Sequence, residues 1–368
     1  MQAGSILFTS LKLGPTKLKN RIVMAPMTRN RAGEGNVPTA LHAQHYSQRV
    51  TGGLIVTCGS QVAPTGLGYP ATPGIHSQKQ LEGWKLVTDA VHDQGGLIFL
   101  QLWHVGRISH PSLQPDGQLP VAPSAIRPAG QAFTYEGLQD FVTPRALETR
   151  EIAEVVNEFR TGAENALSAG FDGVEIHGAN GYIVDQFIRD GTNHRIDEYG
   201  GSVENRTRFM LEVVDAVTGI WGSDRVGVRI SPVNPFNDMS DSDPQATFNY
   251  VAGALSGLGL AYLHVVEAII GDALSFDQSF DFTQARDAFG GIYIANGGYS
   301  KERAESALNE HRADLVSFGA LYLANPDLPE RLRQGGPYNE PNQDTFYGGG
   351  AEGYTDYPFL DEKYNGEG

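Results

Sequence analysis

Eight short runs of apolar and β-branched residues, separated by stretches of helical spacing, constrain this chain more than any other feature. They span residues 21–26, 53–60, 97–104, 173–178, 226–231, 262–267, 291–297 and 315–319. Between them, 81–93, 149–169, 202–219 and 301–309 carry apolar residues at helical spacing. Strand and helix in alternation build a parallel sheet, and eight such units close most naturally into a (β/α)8 TIM barrel. A doubly wound sheet would use fewer strands and a glycine-rich first turn, whereas no G-x-G-x-x-G follows the first run. A length of 368 residues suits one such barrel, so 1–368 reads as a single domain.

Two stretches fall outside the repeat. LFTSLKLGPTKL alternates around Gly14-Pro15 like a hairpin that could cap the barrel's lower end. Residues 106–144, rich in Pro, Gly and Ser, form a long insertion after the third strand, over the top face or down the side. From Pro337 onward a Gly- and Tyr-rich tail reads as an irregular segment lying over another part of the fold.

The formal net charge of -16 opposes a phosphate backbone and argues against a nucleic-acid partner. The single cysteine, Cys58, rules out an internal disulfide framework and a thiolate-rich metal site, and fits a reducing, cytoplasmic setting. No run of about 18 apolar residues or signal-peptide pattern occurs, so a membrane partner is not expected.

Barrel chemistry sits at the carboxyl ends of the strands, and there the unusual residues gather. The first run ends Pro26-Met27-Thr28, the third Gln101-Leu102-Trp103-His104, and the fourth runs into His177-Gly178-Ala179-Asn180-Gly181-Tyr182. The fifth carries Arg229, and Gly297-Gly298 and Gly319-Ala320 close the seventh and eighth. Each has a plainer reading. Thr28 could cap a helix, Gln101 and Trp103 could fill the core, His177 and Asn180 could be a satisfied polar pair, and Gly297-Gly298 could be a turn. Arg229 resists such a reading, because an unpaired buried guanidinium is costly and demands an acceptor.

The motifs NRIVMAPMTR (20–29), PGIHS (73–77), QLWHVGR (101–107), HGANGY (177–182), NHRIDEYGGSVENRTRF (193–209), ANPDL (324–328) and FYGGGAEGYTDYP (346–358) run through nearly the whole chain. In them the sequence resembles the Old Yellow Enzymes, FMN-dependent ene reductases. The last two segments look most like the bacterial members related to pentaerythritol tetranitrate reductase. The resemblance implies an FMN across the barrel mouth, reduced by NADPH or NADH and reoxidised by an activated alkene. Hydride would pass from flavin N5 to the β-carbon of an unsaturated carbonyl or nitro compound, with a proton from Tyr182 to the α-carbon.

His177 and Asn180 would donate to the substrate's carbonyl or nitro oxygen. Thr28, beside Pro26 and Met27, would donate to the flavin C4 oxygen, Gln101 would pair with the pyrimidine edge, and Arg229 would lie beside N1 and the C2 oxygen. Tyr69, Trp103, Phe236 and Tyr347 would line the substrate pocket. Two departures stand out. Ala320 occupies the place where the family usually has a phosphate-clasping arginine, which leaves the amides around Gly297, Gly298, Gly319 and Ala320, or a cation such as Arg303. Cys58-Gly59 replaces a common Glu-Ala, and Gly59 would leave more room beside the flavin, with Cys58 a packing residue. A nitro-group or nitrate-ester reductase on the same site is the alternative. A flavin-free barrel, or a zinc hydrolase on His104, His177 and His194, competes less well, since no H-x-H or H-E-x-x-H spacing appears. A monomer or small homo-oligomer is expected.

Overall fold

A computed structural model describes residues 4–268 and 279–360. Its centre is a closed barrel of eight parallel strands: β1 (Ile22–Met24), β2 (Leu54–Gln61), β3 (Ile98–Trp103), β4 (Gly173–Gly178), β5 (Val226–Ile230), β6 (Tyr262–Val266), β7 (Tyr293–Asn296) and β8 (Leu315–Phe318). Each strand pairs with its sequence neighbours and β8 returns to β1. All eight strands lie where the apolar runs place them. Their near-complete burial follows from the architecture, since each is covered by helices outside and packed against other strands within.

Helices α1 (Ala40–Ser47), α2 (Gln78–Asp93), α3 (Thr149–Ser168), α4 (Ile183–Ile188), α5 (Val203–Trp221), α6 (Pro244–Leu255), α7 (Phe282–Phe289), α8 (Lys301–Asn309), α9 (Ala320–Ala324) and α10 (Leu328–Gln334) complete the described framework. In α3 the buried stripe Ile152, Val155, Phe159, Ala163 and Ala166 recurs every three or four residues and faces the barrel. Burying one such side chain as large as Phe159 contributes about 1.5–3 kcal/mol. At the start of α2 Ser77 Oγ accepts from the Gln80 amide at 3.3 Å, while Gln80 Oε1 accepts from the Ser77 amide at 3.1 Å. This capping box is why α2 begins three residues before its apolar pattern does. Helices α2, α3, α5 and α8 lie where the helical spacing places them, whereas α1, α4, α6, α7, α9 and α10 do not appear in that spacing, and α4, α9 and α10 span too few turns to show a period.

The amino-terminal hairpin pairs Leu11–Leu13 with Thr16–Leu18. Its Leu13 and Leu18 join Val23, Leu54, Phe99 and Leu315 in an apolar cluster at the lower barrel end, so the hairpin seals the base. The insertion after β3 folds over the top face and carries a second hairpin, Gln131–Thr134 with Gly137–Asp140. The Tyr135 hydroxyl, at that hairpin's turn, accepts from the Ala71 amide at 3.1 Å.

The carboxyl-terminal tail is clamped to the end of β1. Arg29 donates to the carbonyls of Phe346 (2.8 Å) and Gly353 (2.7 Å), and Arg31 to those of Thr345 (2.8 Å) and Gly350 (2.9 Å). The Tyr354 ring lies under both guanidiniums and stacks on His45 with ring centroids 3.9 Å apart. The arginines face carbonyl oxygens, so they fix the tail's path and bring Tyr347 to the mouth.

Candidate active site

Alternation sends Phe99, Gln101 and Trp103 of β3, Glu175 and His177 of β4, and Gly227 and Arg229 of β5 into the barrel. Three levels result: an apolar base, a polar middle containing Gln101 and Glu175, and an upper rim with Trp103, His177 and Arg229. Gly227 has no side chain because Tyr262 fills its place; a Cβ there would meet the ring at 2.2 Å.

After Gly178 the chain turns sharply, with Asn180 at φ 59° and Gly181 at φ 76°. Asparagine tolerates this conformation. A Cβ at Gly181 would meet Met239 at 2.7 Å and Asn237 at 2.8 Å, so only glycine fits. Three bonds fix the turn: Asn180 N to Ser231 Oγ (2.7 Å), Gly181 N to Asp185 Oδ2 (2.9 Å) and Asn237 Nδ2 to the Asn180 carbonyl (2.8 Å). Asn234 Nδ2 donates to Asn180 Oδ1 at 3.2 Å. The Asn180 amide is thereby oriented with its oxygen held by protein and its Nδ2 donor left for a ligand.

His177 is buried, and burial, followed by the Arg229 charge, pushes its imidazole well below the usual value. The ring is neutral at physiological pH. Its Nδ1 accepts from the Ala179 amide at 3.4 Å, which leaves the proton on Nε2. The His177 ring lies 5.0 Å from that of Tyr182 and 6.3 Å from that of Trp103. Tyr69 joins them, stacked on Trp103 at 5.8 Å with its hydroxyl 3.2 Å from that of Tyr182. Burial raises both phenols, Tyr69 to about 12 and Tyr182 well above its usual value, so both hold their protons. Phe236 and Tyr347 are exposed at the rim. Tyr69, Phe236, Ile108, Phe133 and Asn237 line a cavity of about 260 Å³ beneath the insertion's hairpin. A larger open groove of about 640 Å³, lined by Glu204, Arg208 and Glu212, lies between α3 and α5 and shares no residue with the mouth.

The other side of the mouth carries the remaining predicted positions. Pro26 is buried and Met27 and Thr28 are half-buried just past β1. Thr28 caps no helix, since α1 starts at Ala40 behind Thr39. Arg229 donates through Nη2 to Asn296 Oδ1 at 2.9 Å, so part of the acceptor it demands comes from the protein. Its buried Nε has no protein partner. Gln101 donates through Nε2 to Glu175 at 2.8 Å and therefore presents its carbonyl and remaining N–H upward. The room expected at Gly59 is taken by Trp103, whose ring a Cβ there would meet at 2.8 Å.

Gly297 and Gly298 have φ values of 133° and 59°. Arg303 donates to the Gly298 carbonyl at 2.9 Å and the Gly297 carbonyl at 3.4 Å, which brings a cation to this turn, after the strand that neighbours β8 with its Gly319-Ala320 end. Cys58 is buried, and burial pushes its thiol up to about 11, an unreactive state. Among the described residues no three or more His, Cys, Asp or Glu side chains are grouped to hold a metal ion, His104, His177 and His194 included. No described helix is long and apolar enough to cross a membrane.

An orphaned buried guanidinium N–H, an amide with one donor and one acceptor free, and a half-buried hydroxyl at Thr28 together fit the polar edge of a planar heterocycle. Barrel, rim and turn together form a polar, partly unsatisfied site at the carboxyl ends of the strands, of a kind that suits a planar heterocyclic cofactor. The chain belongs to the NADH:flavin oxidoreductase / NADH oxidase family, whose profile matches residues 6–339. It is 46% identical over 364 residues to 12-oxophytodienoate reductase 1 of Oryza sativa subsp. japonica, covering 97% of this chain and 93% of that protein. Morphinone reductase, solved in complex with tetrahydroNAD, matches at 48% identity with a TM-score of 0.92 over 99% of each chain. The old yellow enzyme homologue from Zymomonas mobilis matches at 43% identity and a TM-score of 0.93, over 96% of this chain and 99% of that one. The Old Yellow Enzyme resemblance therefore holds, and the chain is an FMN oxidoreductase that takes its electrons from a nicotinamide.

Sequence reasoning missed Glu175, His264, Ser317 and Asn234, which orient the predicted residues, and placed Asn296 at the end of the seventh strand without giving it the Arg229 contact. For Glu175 and His264 a signal existed: each is a polar residue inside an apolar strand, at a position that alternation turns inward.

Proposed function

We propose that this protein is an ene reductase acting on the C=C bond of α,β-unsaturated carbonyl compounds, with the whole chain working as one barrel domain. The observation that carries this reading is a pair of fixed neutral donors, His177 with its proton on Nε2 and Asn180 with its amide oriented by Asn234, beside a phenol that keeps its proton. Bound FMN supplies the hydride. Thr28, Gln101 and Arg229 would hold its polar edge, Pro26 and Met27 would pack beside it, and amides at Gly297, Gly298, Gly319 and Ala320 would hold its phosphate, with Arg303 near.

His177 and Asn180 bind the substrate oxygen. As negative charge gathers there their hydrogen bonds strengthen, so they stabilise the transition state more than the bound substrate. Tyr182 delivers its proton to the α-carbon, and Tyr69 steadies the oxygen left behind. Trp103, Phe236 and Tyr347 wall the pocket and limit substrate width. A nitro oxygen is accepted by the same two donors, which brings nitroalkenes and nitrate esters into the substrate range. The acidic surface and lone buried cysteine suit a cytoplasmic enzyme, as a monomer or small homo-oligomer.

The test is His177→Ala with Asn180→Ala. Turnover of cyclohexenone should fall by about 10²–10³ or more, the scale for losing one such donor, while flavin absorbance stays. Unchanged turnover would remove the assignment.

A further inference from the structure

Beneath the rim, the middle level of the barrel carries a carboxylate where this architecture ordinarily packs branched apolar side chains. Glu175 is completely buried. It accepts from Gln101 Nε2 at 2.8 Å and is bonded to His264 Nδ1 at 2.8 Å, and His264 Nε2 lies 2.8 Å from Ser317 Oγ. Asn296, the acceptor for Arg229, donates in turn to the Ser317 carbonyl at 3.2 Å. Glu175 pairs in register with Gln101 on one side and Gly227 on the other, which places it one pleat below Arg229.

Burial pushes the Glu175 carboxyl up, but the hydrogen bonds it accepts from His264 and Gln101 and the charge of Arg229 draw it below its usual range, while burial pushes the His264 imidazole down, so the pair is a carboxylate and a neutral ring. A neutral His264 donates from Nδ1 to Glu175 and accepts from the Ser317 hydroxyl at Nε2, which satisfies every member of the chain. The floor then contains one negative charge, and the rim above it one positive charge, Arg229. A buried carboxylate far from solvent is costly, and base-sealing packing is already provided by the apolar cluster below. Its place is explained by the charge it opposes.

We propose that Glu175 is a positioning residue that serves as fixed counter-charge to Arg229, lowers the reduction potential of the bound flavin, and sets the orientation of the Gln101 amide. This rests on the FMN reading above. A negative charge held in low dielectric beneath a group that gains electrons disfavours its reduction, and it offsets the attraction Arg229 exerts. By occupying one N–H of Gln101, Glu175 also fixes which end of that amide is the acceptor.

Glu175→Gln removes the charge at constant shape, and the His264 tautomer can switch to keep the hydrogen bonds. The potential of bound FMN, read anaerobically against a reference dye, should move positive by at least a tenfold change in the reduced-to-oxidised ratio, about 30 mV for a two-electron couple. His264→Asn keeps the net charge and should shift the ratio by less than threefold. An unmoved or more negative potential in Glu175→Gln, or an equal shift in both variants, overturns the proposal. If Glu175→Gln does not fold, Glu175→Met, an apolar side chain of similar length that also removes the charge, carries the test, with the same positive shift expected and an unmoved or more negative potential overturning the proposal. Wild-type protein that takes up no FMN would refute the functional reading itself. FMN-loaded wild type with unresponsive variants refutes only the counter-charge role.

Discussion

Tyr69→Phe separates proton delivery from hydride delivery. The two phenol oxygens lie 3.2 Å apart, and both groups are un-ionised at rest. When Tyr182 releases its proton, the bond from Tyr69 changes from one between neutral groups, worth about 1 kcal/mol, to one onto a forming phenolate, worth about 1.5–3 kcal/mol. The difference of about 0.5–2 kcal/mol corresponds to a loss of about 2- to 30-fold in the alkene-reducing step. Tyr182→Phe, which removes the acid itself, should cost about 10²–10⁴ where protonation limits the rate. Anaerobic stopped-flow absorbance follows flavin reduction by NADPH and reoxidation by cyclohexenone separately. Flavin reduction needs no proton from Tyr182, so Tyr69→Phe should leave it within about twofold. An equal decline in both half-reactions would show that Tyr69 acts only by shaping the pocket, and no decline in either would show that the hydroxyl contact is idle.

Three further outcomes follow from particular contacts. Asn234→Asp keeps the acceptor for the Phe236 amide but loses the donor to Asn180 Oδ1, so the Asn180 amide turns its oxygen to the substrate; enone turnover should drop by about 10²-fold, measured with substrate analogues matched for binding. Ala320→Arg should tighten FMN binding by about 10- to 150-fold, for a charge-assisted contact of about 1.5–3 kcal/mol, read as flavin fluorescence on titrating the apoprotein. Dialysis that removes as much flavin from the variant as from wild type would contradict this. Half-buried Glu158 lies near Glu154, and burial, then that neighbour, raises its carboxyl to about 7 from an ordinary 4.5. The folded state thus holds this proton more tightly, so its contribution is present below pH 4.5 and is lost as pH rises to about 7. Glu158→Gln should raise the melting temperature at pH 8 and leave it unchanged at pH 4; the reverse order would show that Glu158 is stabilised as an anion.

Sequence by itself determined the barrel, because strand and helix periods are local and eight alternations leave few ways to close. It also determined which residues crowd the barrel's upper rim: His177, Asn180 and Tyr182 lie within one turn, and Gln101 and Trp103 share one strand face. Tertiary structure alone decided how those residues are held. Asn234 reaches Asn180 across 54 residues, Glu175 reaches His264 across 89, and the tail returns to Arg29 across more than 300. No periodicity reports contacts made between distant strands, and the orientation of an amide or the tautomer of an imidazole exists only once its partner is in place. Glu175 shows the boundary. Its inward position could be read from alternation, but its charge state and its opposition to Arg229 come from the closed barrel, which excludes water and sets the two on adjacent levels.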